Sequence, residues 1–199
     1  MTEHSELAIL LDAIDAGDDE RCEALVHGFT PADSPLLIPL ATDADSDRRW
    51  WAVRALALVG AASAVPVLAG CLDDADPSVR AAAAMSLGHV YQRAPEAVAA
   101  HLDRVAALLA DDNGIVRQAA GDGLALCRDA AVPALARLLR QSQHPGARTR
   151  AAAALRKIAT MPAAAVLYPL LNDPNHLVRV YAYEGLDEMG LLENVLVIP

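Results

Sequence analysis

The chain has 199 residues, of which 54% are hydrophobic and only 4% are aromatic, and most of the apolar content is Ala and Leu. Because Ala and Leu favour helices, and the β-branched and aromatic runs typical of sheets are sparse, this composition argues against a β-sandwich. The formal net charge of −10 disfavours nucleic acid and anionic membrane surfaces as partners.

Residues 1–30 predict a degenerate opening unit of two helices, one through SELAILLDAIDA and one through DDERCEALVHG. Acidic residues precede the first apolar stretch, which is not the pattern of a secretory signal, and no apolar run reaches the length of about 18 residues that spans a membrane. The three cysteines are odd in number and far apart, so we expect free thiols. These features together predict a cytoplasmic protein.

Residues 33–190 contain one pattern five times, at intervals of 31 or 37 residues. An arginine, which we name the anchor arginine, is followed by Ala after three residues, Leu after seven and an apolar residue after ten. These spacings trace one stripe of an α-helix, so we expect that stripe to be buried. Since the anchors recur beside a capping loop, we expect them to bond to loop carbonyls and Asp side chains rather than to form an anion-binding ladder. The anchor arginines are Arg49, Arg80, Arg117, Arg148 and Arg179.

A second apolar segment precedes each stripe, so each unit is predicted to be a helix, a turn and a helix. Good N-cap residue types occur four positions before four of the five anchors, and His144 holds that position in the other unit. One helix pair cannot bury its own stripe, so neighbouring pairs must stack. The predicted fold is all-α, a right-handed α-solenoid of about six stacked helix-turn-helix repeats. We expect a single domain over 1–199, with 1–30 as N-terminal cap, 33–190 as five repeats and 191–199 as C-terminal cap or tail.

The pattern D-P-x-V-R-x-x-A-A-x-x-L-G, read from DPSVRAAAAMSLGHV at 76–90, resembles the short HEAT-like repeat of the phycobiliprotein-lyase type. The resemblance implies a solenoid whose second helices line a concave face where ligands bind. It does not select one function, because similar repeats serve chromophore lyases, metal-dependent hydroxylases, DNA glycosylases and plain binding scaffolds.

Positions of the second helices outside the buried stripe are the candidate partner-binding residues on that concave face. Trp50 and Trp51 are adjacent and fall on this surface, where aromatic side chains are typical binding anchors. The alternative is that one of the two packs beneath the N-terminal unit. The candidates are Trp50, Trp51, Arg54, Met85, His89, Gln118, Asp122, Arg150, Leu177, Tyr181 and Glu184.

No catalytic residue, metal site or cofactor is expected. The segment DADSD at 43–47 resembles the start of a calcium loop, but Arg48 replaces the required glycine and Arg54 the final acid, so helix capping explains these acids better. The six histidines form no His-Glu pairs, which are what the resemblance to metal-dependent hydroxylases would require. The cysteines fall at apolar positions, where thiols are inert.

The function expected from the sequence is a non-enzymatic scaffold that binds another protein or a peptide, and not nucleic acid or membrane. The alternative, implied by the resemblance alone, is an accessory or catalytic subunit of a bilin (tetrapyrrole) lyase or a related chromophore-handling protein. The apolar end LLENVLVIP needs cover, either by folding back or by a second subunit, so we expect a monomer or a homodimer through the C-terminal end.

Overall fold

A computed structural model describes residues 3–192, with side chains described from residue 6 onward. All regular secondary structure in this range is helical, which confirms the predicted all-α class. In chain order the first helices are α1 (Glu3–Asp15), α2 (Asp19–Val26), α3 (Ser34–Leu40), α4 (Ser46–Val59), α5 (Val65–Gly70) and α6 (Pro77–Tyr91). They are followed by α7 (Pro95–Ala99), α8 (Leu102–Ala107), α9 (Gly114–Leu126), α10 (Val132–Gln141), α11 (Pro145–Ile158), α12 (Met161–Leu167) and α13 (His176–Glu188).

The chain forms two compact units, residues 1–98 (unit 1) and 99–199 (unit 2). Unit 1 contains the opening pair α1–α2 and the repeats α3–α4 and α5–α6, with α4 packed on α6. Unit 2 contains the repeats α8–α9, α10–α11 and α12–α13, with α11 packed between its two neighbouring second helices. Residues 193–199, in which most of the expected C-terminal cap falls, lie outside the described residues.

The predicted stripe is the core of both units. The alanine and leucine of every stripe are at most 1% exposed, and of the last apolar positions only Met189 is half-buried. The small residue before each leucine allows close helix contact. At Gly185 an added Cβ would lie 2.8 Å from Leu167 and 3.2 Å from Arg156. At Ser86 the hydroxyl donates to the Val53 carbonyl of the neighbouring helix.

All five second helices begin at the predicted cap. The Asp or Asn side chain accepts a backbone N–H of the first turn in four of them, as at Asp76 and Asn175. The fifth cap is His144, whose Nδ1 accepts the N–H of Ala147 at 3.0 Å. An imidazole nitrogen therefore does the work of a carboxylate or amide oxygen at this position.

The anchor arginines tie each second helix to the loop before it. Four of them donate from Nη1 to two successive loop carbonyls, at 2.7 to 3.1 Å. Arg148 differs and donates to the Leu139 carbonyl of α10. In that repeat α10 continues to Gln141, whereas the flanking repeats have the 3₁₀ turns Leu108–Ala110 and Tyr168–Asn172.

The longer interval before Arg117 adds a helix instead of extending its neighbours. The sequence predicts a longer loop or first helix there, and the structure has the separate short helix α7. The turn before it is held by Arg93, which donates to the carbonyls of Gly60 and Ala57.

None of the helices in the described range has the length and hydropathy that crossing a membrane requires.

Candidate functional site

The two tryptophans lie on α4 in different environments. Trp51 is 6% exposed and belongs to the core of unit 1, whereas Trp50 is half-buried. Their rings meet edge to face, with centroids 4.7 Å apart and planes at 88°. This is a favourable arrangement for aromatic pairs, so the buried Trp51 ring holds the Trp50 ring in one orientation. Trp51 therefore packs in the core, as the alternative interpretation has it for one of the pair, and Trp50 is the tryptophan that stays partly exposed.

Both tryptophans line a cavity of about 620 Å³ within unit 1, which we name the tryptophan cavity. A space of this size is in the range of small-ligand and side-chain pockets. Its walls come from the opening helix pair and from the N-terminal ends of α4 and α6. The lining residues are Ile14, Gly17, Asp19, Glu23, Ser46, Asp47, Trp50, Trp51, Asp76, Ser78 and Val79.

The wall of the tryptophan cavity is acidic, and two of its four carboxylates are already bound. Arg54 donates from Nε to Glu23 at 2.7 Å, and this guanidinium lowers the pKa of the Glu23 carboxyl below its ordinary value. Asp76 caps α6 through the N–H of Ser78. Asp19 and Asp47 have no basic partner among the residues that the structure describes. The cavity therefore keeps negative charge beside two aromatic side chains.

Arg54 also contacts the aromatic wall, because its Cζ lies 5.8 Å from the centre of the Trp50 ring. The sequence predicts Arg54 as a partner-binding residue. In the structure Arg54 forms an ion pair with Glu23, so its side chain stabilises the cavity wall.

The remaining candidates of unit 1 do not line this cavity. Met85 is half-buried and His89 is exposed on α6. The opening pair, by contrast, supplies Ile14, Gly17, Asp19 and Glu23. Sequence reasoning missed these residues because the opening unit has no anchor arginine, so the repeat register that located the other candidates does not extend to it.

In unit 2 most of the candidate charges are neutralised within the unit. Asp122 accepts hydrogen bonds from Gln118 at 2.8 Å and from Lys157 of the next second helix. Glu184 pairs with Arg156 at 2.9 Å. These pairs join consecutive second helices of unit 2, but as exposed ion pairs they add little to its stability.

Arg150 is the exception among the charged candidates of unit 2. It is half-buried, and its Nη1 donates to the Gly146 carbonyl at 3.1 Å. Leu177 is 53% exposed at the start of α13, and Tyr181 is half-buried one turn later. Ile115 lies at the equivalent position of α9 and is 71% exposed. Unit 2 therefore presents apolar side chains at the starts of two second helices.

The described residues contain no group of three or more His, Cys, Asp or Glu side chains that could hold a metal ion. Two of the three acids of the DADSD segment hold the local backbone, because Asp45 caps α4 and Asp43 accepts the N–H of Asp45, and the third, Asp47, lines the tryptophan cavity.

Comparison with known families decides which repeat this is. The family described as HEAT repeats matches residues 34–106 and 102–187, which together cover most of the chain. This chain belongs to the HEAT-repeat family. The match covers both units, and it confirms the resemblance inferred from the anchor pattern. No curated protein sequence matches this HEAT-repeat chain.

Solved structures give the same fold for this HEAT-repeat protein. An engineered protein is 23% identical, with 94% of this chain and 90% of that chain covered and a TM-score of 0.51. The Escherichia coli protein YibA is 20% identical, with 96% and 78% covered and a TM-score of 0.57. The complex of CpcE and CpcF of phycocyanin lyase from Nostoc sp. PCC7120 is 25% identical, with 81% and 65% covered and a TM-score of 0.54.

Proposed function

We propose that this HEAT-repeat protein is a non-enzymatic scaffold that binds a segment of another protein, and that the tryptophan cavity takes a basic side chain of that segment. The observation that carries the proposal is a cavity of about 620 Å³ lined both by Trp50 and by the unpaired carboxylates of Asp19 and Asp47. A Lys or Arg side chain matches both features, since its charge is attracted to carboxylates and to the face of an indole ring.

The rigidity of the wall supports binding without much ordering cost. Trp51 is buried and fixes the Trp50 ring, and the Arg54–Glu23 ion pair holds the rim between α2 and α4. Because these groups are already in place, little conformational freedom is lost when a partner side chain enters.

The chemistry of the three cysteines supports a binding role over nucleophilic catalysis. All three are free and buried, and burial raises the pKa of each thiol, to about 12 for Cys127 and about 11 for Cys71. Thiols with such pKa values are poor nucleophiles. Free thiols also favour a reducing compartment, so we propose the cytoplasm as the location.

The test uses the two tryptophans as reporters, because the chain has no others and both line the cavity. Tryptophan emission is followed while capped peptides that differ only in one central residue, Lys, Arg, Gln or Glu, are added. We expect saturable changes with Lys and Arg peptides and none with Gln or Glu peptides. Asp47→Asn should weaken the Lys response, whereas Asp12→Asn, an exposed change outside the cavity, should not. Equal responses to all four peptides would contradict the proposal.

Chromophore handling is the second candidate, and the 25% identity to the CpcE and CpcF complex over 81% of the chain favours it. Incubation with a bilin should then give a shifted visible absorption band that Trp50→Ala reduces. An unshifted spectrum at saturating bilin would remove this candidate.

A further inference from the structure

Two anchor arginines also form an ion pair with a carboxylate from the loop of the next repeat. Arg49 binds Asp74 through Nε and Nη2, both at 2.8 Å, and Arg148 binds Asp173. In both cases the acid lies 25 residues after the arginine. The guanidinium is thus held by loop or helix carbonyls on one side and by a carboxylate on the other.

Arg117 has no such carboxylate. The residue 25 positions after it is Ser142, which occupies the same place in its loop: its hydroxyl accepts the N–H of His144, as Asp173 accepts the N–H of Asn175. Ser142 therefore reproduces the turn but supplies no negative charge. Arg117 keeps its two loop carbonyls, each at 2.8 Å, while its Nε is buried with no hydrogen-bond acceptor.

A second guanidinium, that of Arg150, lies close to Arg117. Burial, and then the charge of Arg117, lower the pKa of Arg150. The Arg150 side chain folds back over Gly146, where an added Cβ would lie 3.0 Å from its Nη1, and it donates to the Gly146 carbonyl. Among the residues that the structure describes, no carboxylate pairs with Arg117 or Arg150. Two neighbouring positive charges with an unused buried donor are costly unless an anion binds there.

A small cavity of about 40 Å³ lies beside these two side chains, between α9 and α11. This volume is close to that of one water molecule in the liquid, which is the scale of a single carboxylate group. Lys157 also lines it, but Lys157 is paired with Asp122. The free positive charge at the cavity is that of the arginine pair.

We propose that Arg117 and Arg150 form a binding site for the carboxylate of an Asp or Glu side chain on a partner protein. The incoming group supplies the negative charge that Asp74 and Asp173 supply to Arg49 and Arg148 in their repeats. A planar carboxylate fits the paired donors of a guanidinium in a two-point geometry. The source of the carboxylate rests on the proposed scaffold function, whereas the anion site itself does not.

The test follows the arginine side-chain N–H signals of ¹⁵N-labelled protein by NMR. Capped glutamate (acetyl-Glu-methylamide) is added, with capped glutamine as the matched control and inorganic phosphate as a second anion. We expect capped glutamate to shift the Arg117 Nε–H signal in a saturable way, and capped glutamine to leave it in place. Arg150→Gln should weaken glutamate binding about tenfold.

Ser142→Asp restores the missing carboxylate and is the decisive variant. It should abolish the glutamate-induced shift and raise the unfolding midpoint, while Ser142→Ala keeps the shift. Three results would overturn the proposal: no shift with capped glutamate, an undiminished shift in Ser142→Asp, or a tighter response to phosphate than to glutamate. The tryptophan titration probes a cavity in unit 1, so failure of either site is distinguishable from failure of the other.

Discussion

Arg49 and Asp74 form a two-point ion pair in which both hydrogen bonds measure 2.8 Å and the side chains are 16% and 10% exposed. The pair joins the start of α4 to the loop before α6, and Asp74 also accepts the N–H of Asp76 in that loop. One carboxylate thus holds the turn of its own repeat and the anchor of the preceding one.

Asp74→Asn should lower the free energy of unfolding by about 2–3 kcal/mol, because it leaves a poorly exposed guanidinium without its charged acceptor. Urea denaturation followed by far-ultraviolet circular dichroism measures this change. Asp12→Asn, an exposed residue of α1, serves as the control and should change stability by less than about 0.5 kcal/mol. Similar losses in the two variants would show that the pair contributes little.

The same pair predicts a pH dependence of stability. The Arg49 guanidinium holds the pKa of the Asp74 carboxyl below its ordinary value of 3.8. Because the folded state binds this proton less readily than the unfolded state, the contribution is present above pH 3.8 and is lost as the pH falls through the lower folded value. Unfolding free energies of wild type and Asp74→Asn should therefore converge in acid. A constant difference from neutral pH down to acid unfolding would contradict this assignment.

The two tryptophans should respond differently to truncation. Trp51→Ala removes a ring that is 6% exposed and should cost about 3–5 kcal/mol of stability. Trp50→Ala removes a half-buried ring and should cost about 1–2 kcal/mol while abolishing the response to Lys peptides. Denaturation curves measure the loss of stability in both variants, and the remaining Trp51 emission in Trp50→Ala reports the response to Lys peptides. Equal destabilisation by the two changes would place Trp50 in the core as well.

Ala159 ends α11 in a left-handed conformation, with φ 49° and ψ 50°, which is unfavourable for a residue with a Cβ. The equivalent position of the next repeat, 11 residues after Arg179 as Ala159 is after Arg148, is Gly190, which has φ 69° and no Cβ. Ala159→Gly should raise the free energy of unfolding by about 1 kcal/mol, and Gly190→Ala should lower it by a similar amount. Thermal unfolding of both variants checks the signs. Destabilisation by Ala159→Gly would mean that backbone entropy outweighs the relieved strain.

The three thiols should be unreactive in the folded protein. Burial raises the pKa of each, so little thiolate forms at about pH 8, and access is also blocked. Ellman's reagent should therefore release colour slowly from the native protein and rapidly after denaturation in guanidinium chloride. Rapid reaction of one thiol in the native state would show that its site opens readily.

The sequence by itself determined the repeat, its caps and its core. Ala and Leu at a helical spacing after each anchor arginine leave one way to bury the stripe, which is against the next helix pair. Leu56 and Leu155 could therefore be placed in the core from the sequence alone. Capping is equally local, since an Asp or Asn needs only the N–H groups of its own first turn. His144 could not be assigned as a cap in the same way, because an imidazole nitrogen is a less common cap.

Only the tertiary structure decided which surface residues are free to bind. Helical periodicity assigns Trp50 and Trp51 to the same exposed surface, but packing in unit 1 buries Trp51 and leaves Trp50 half-buried. Both line a cavity that is made in part by the degenerate opening pair. Helical periodicity also places Arg54, Arg150 and Lys157 at outward positions. In the structure Glu23 neutralises Arg54 and Asp122 neutralises Lys157, whereas Arg150 lies beside Arg117. The physical reason is that burial of a stripe depends on spacing along one helix, while the charge left at a site depends on which side chains of other helices reach it.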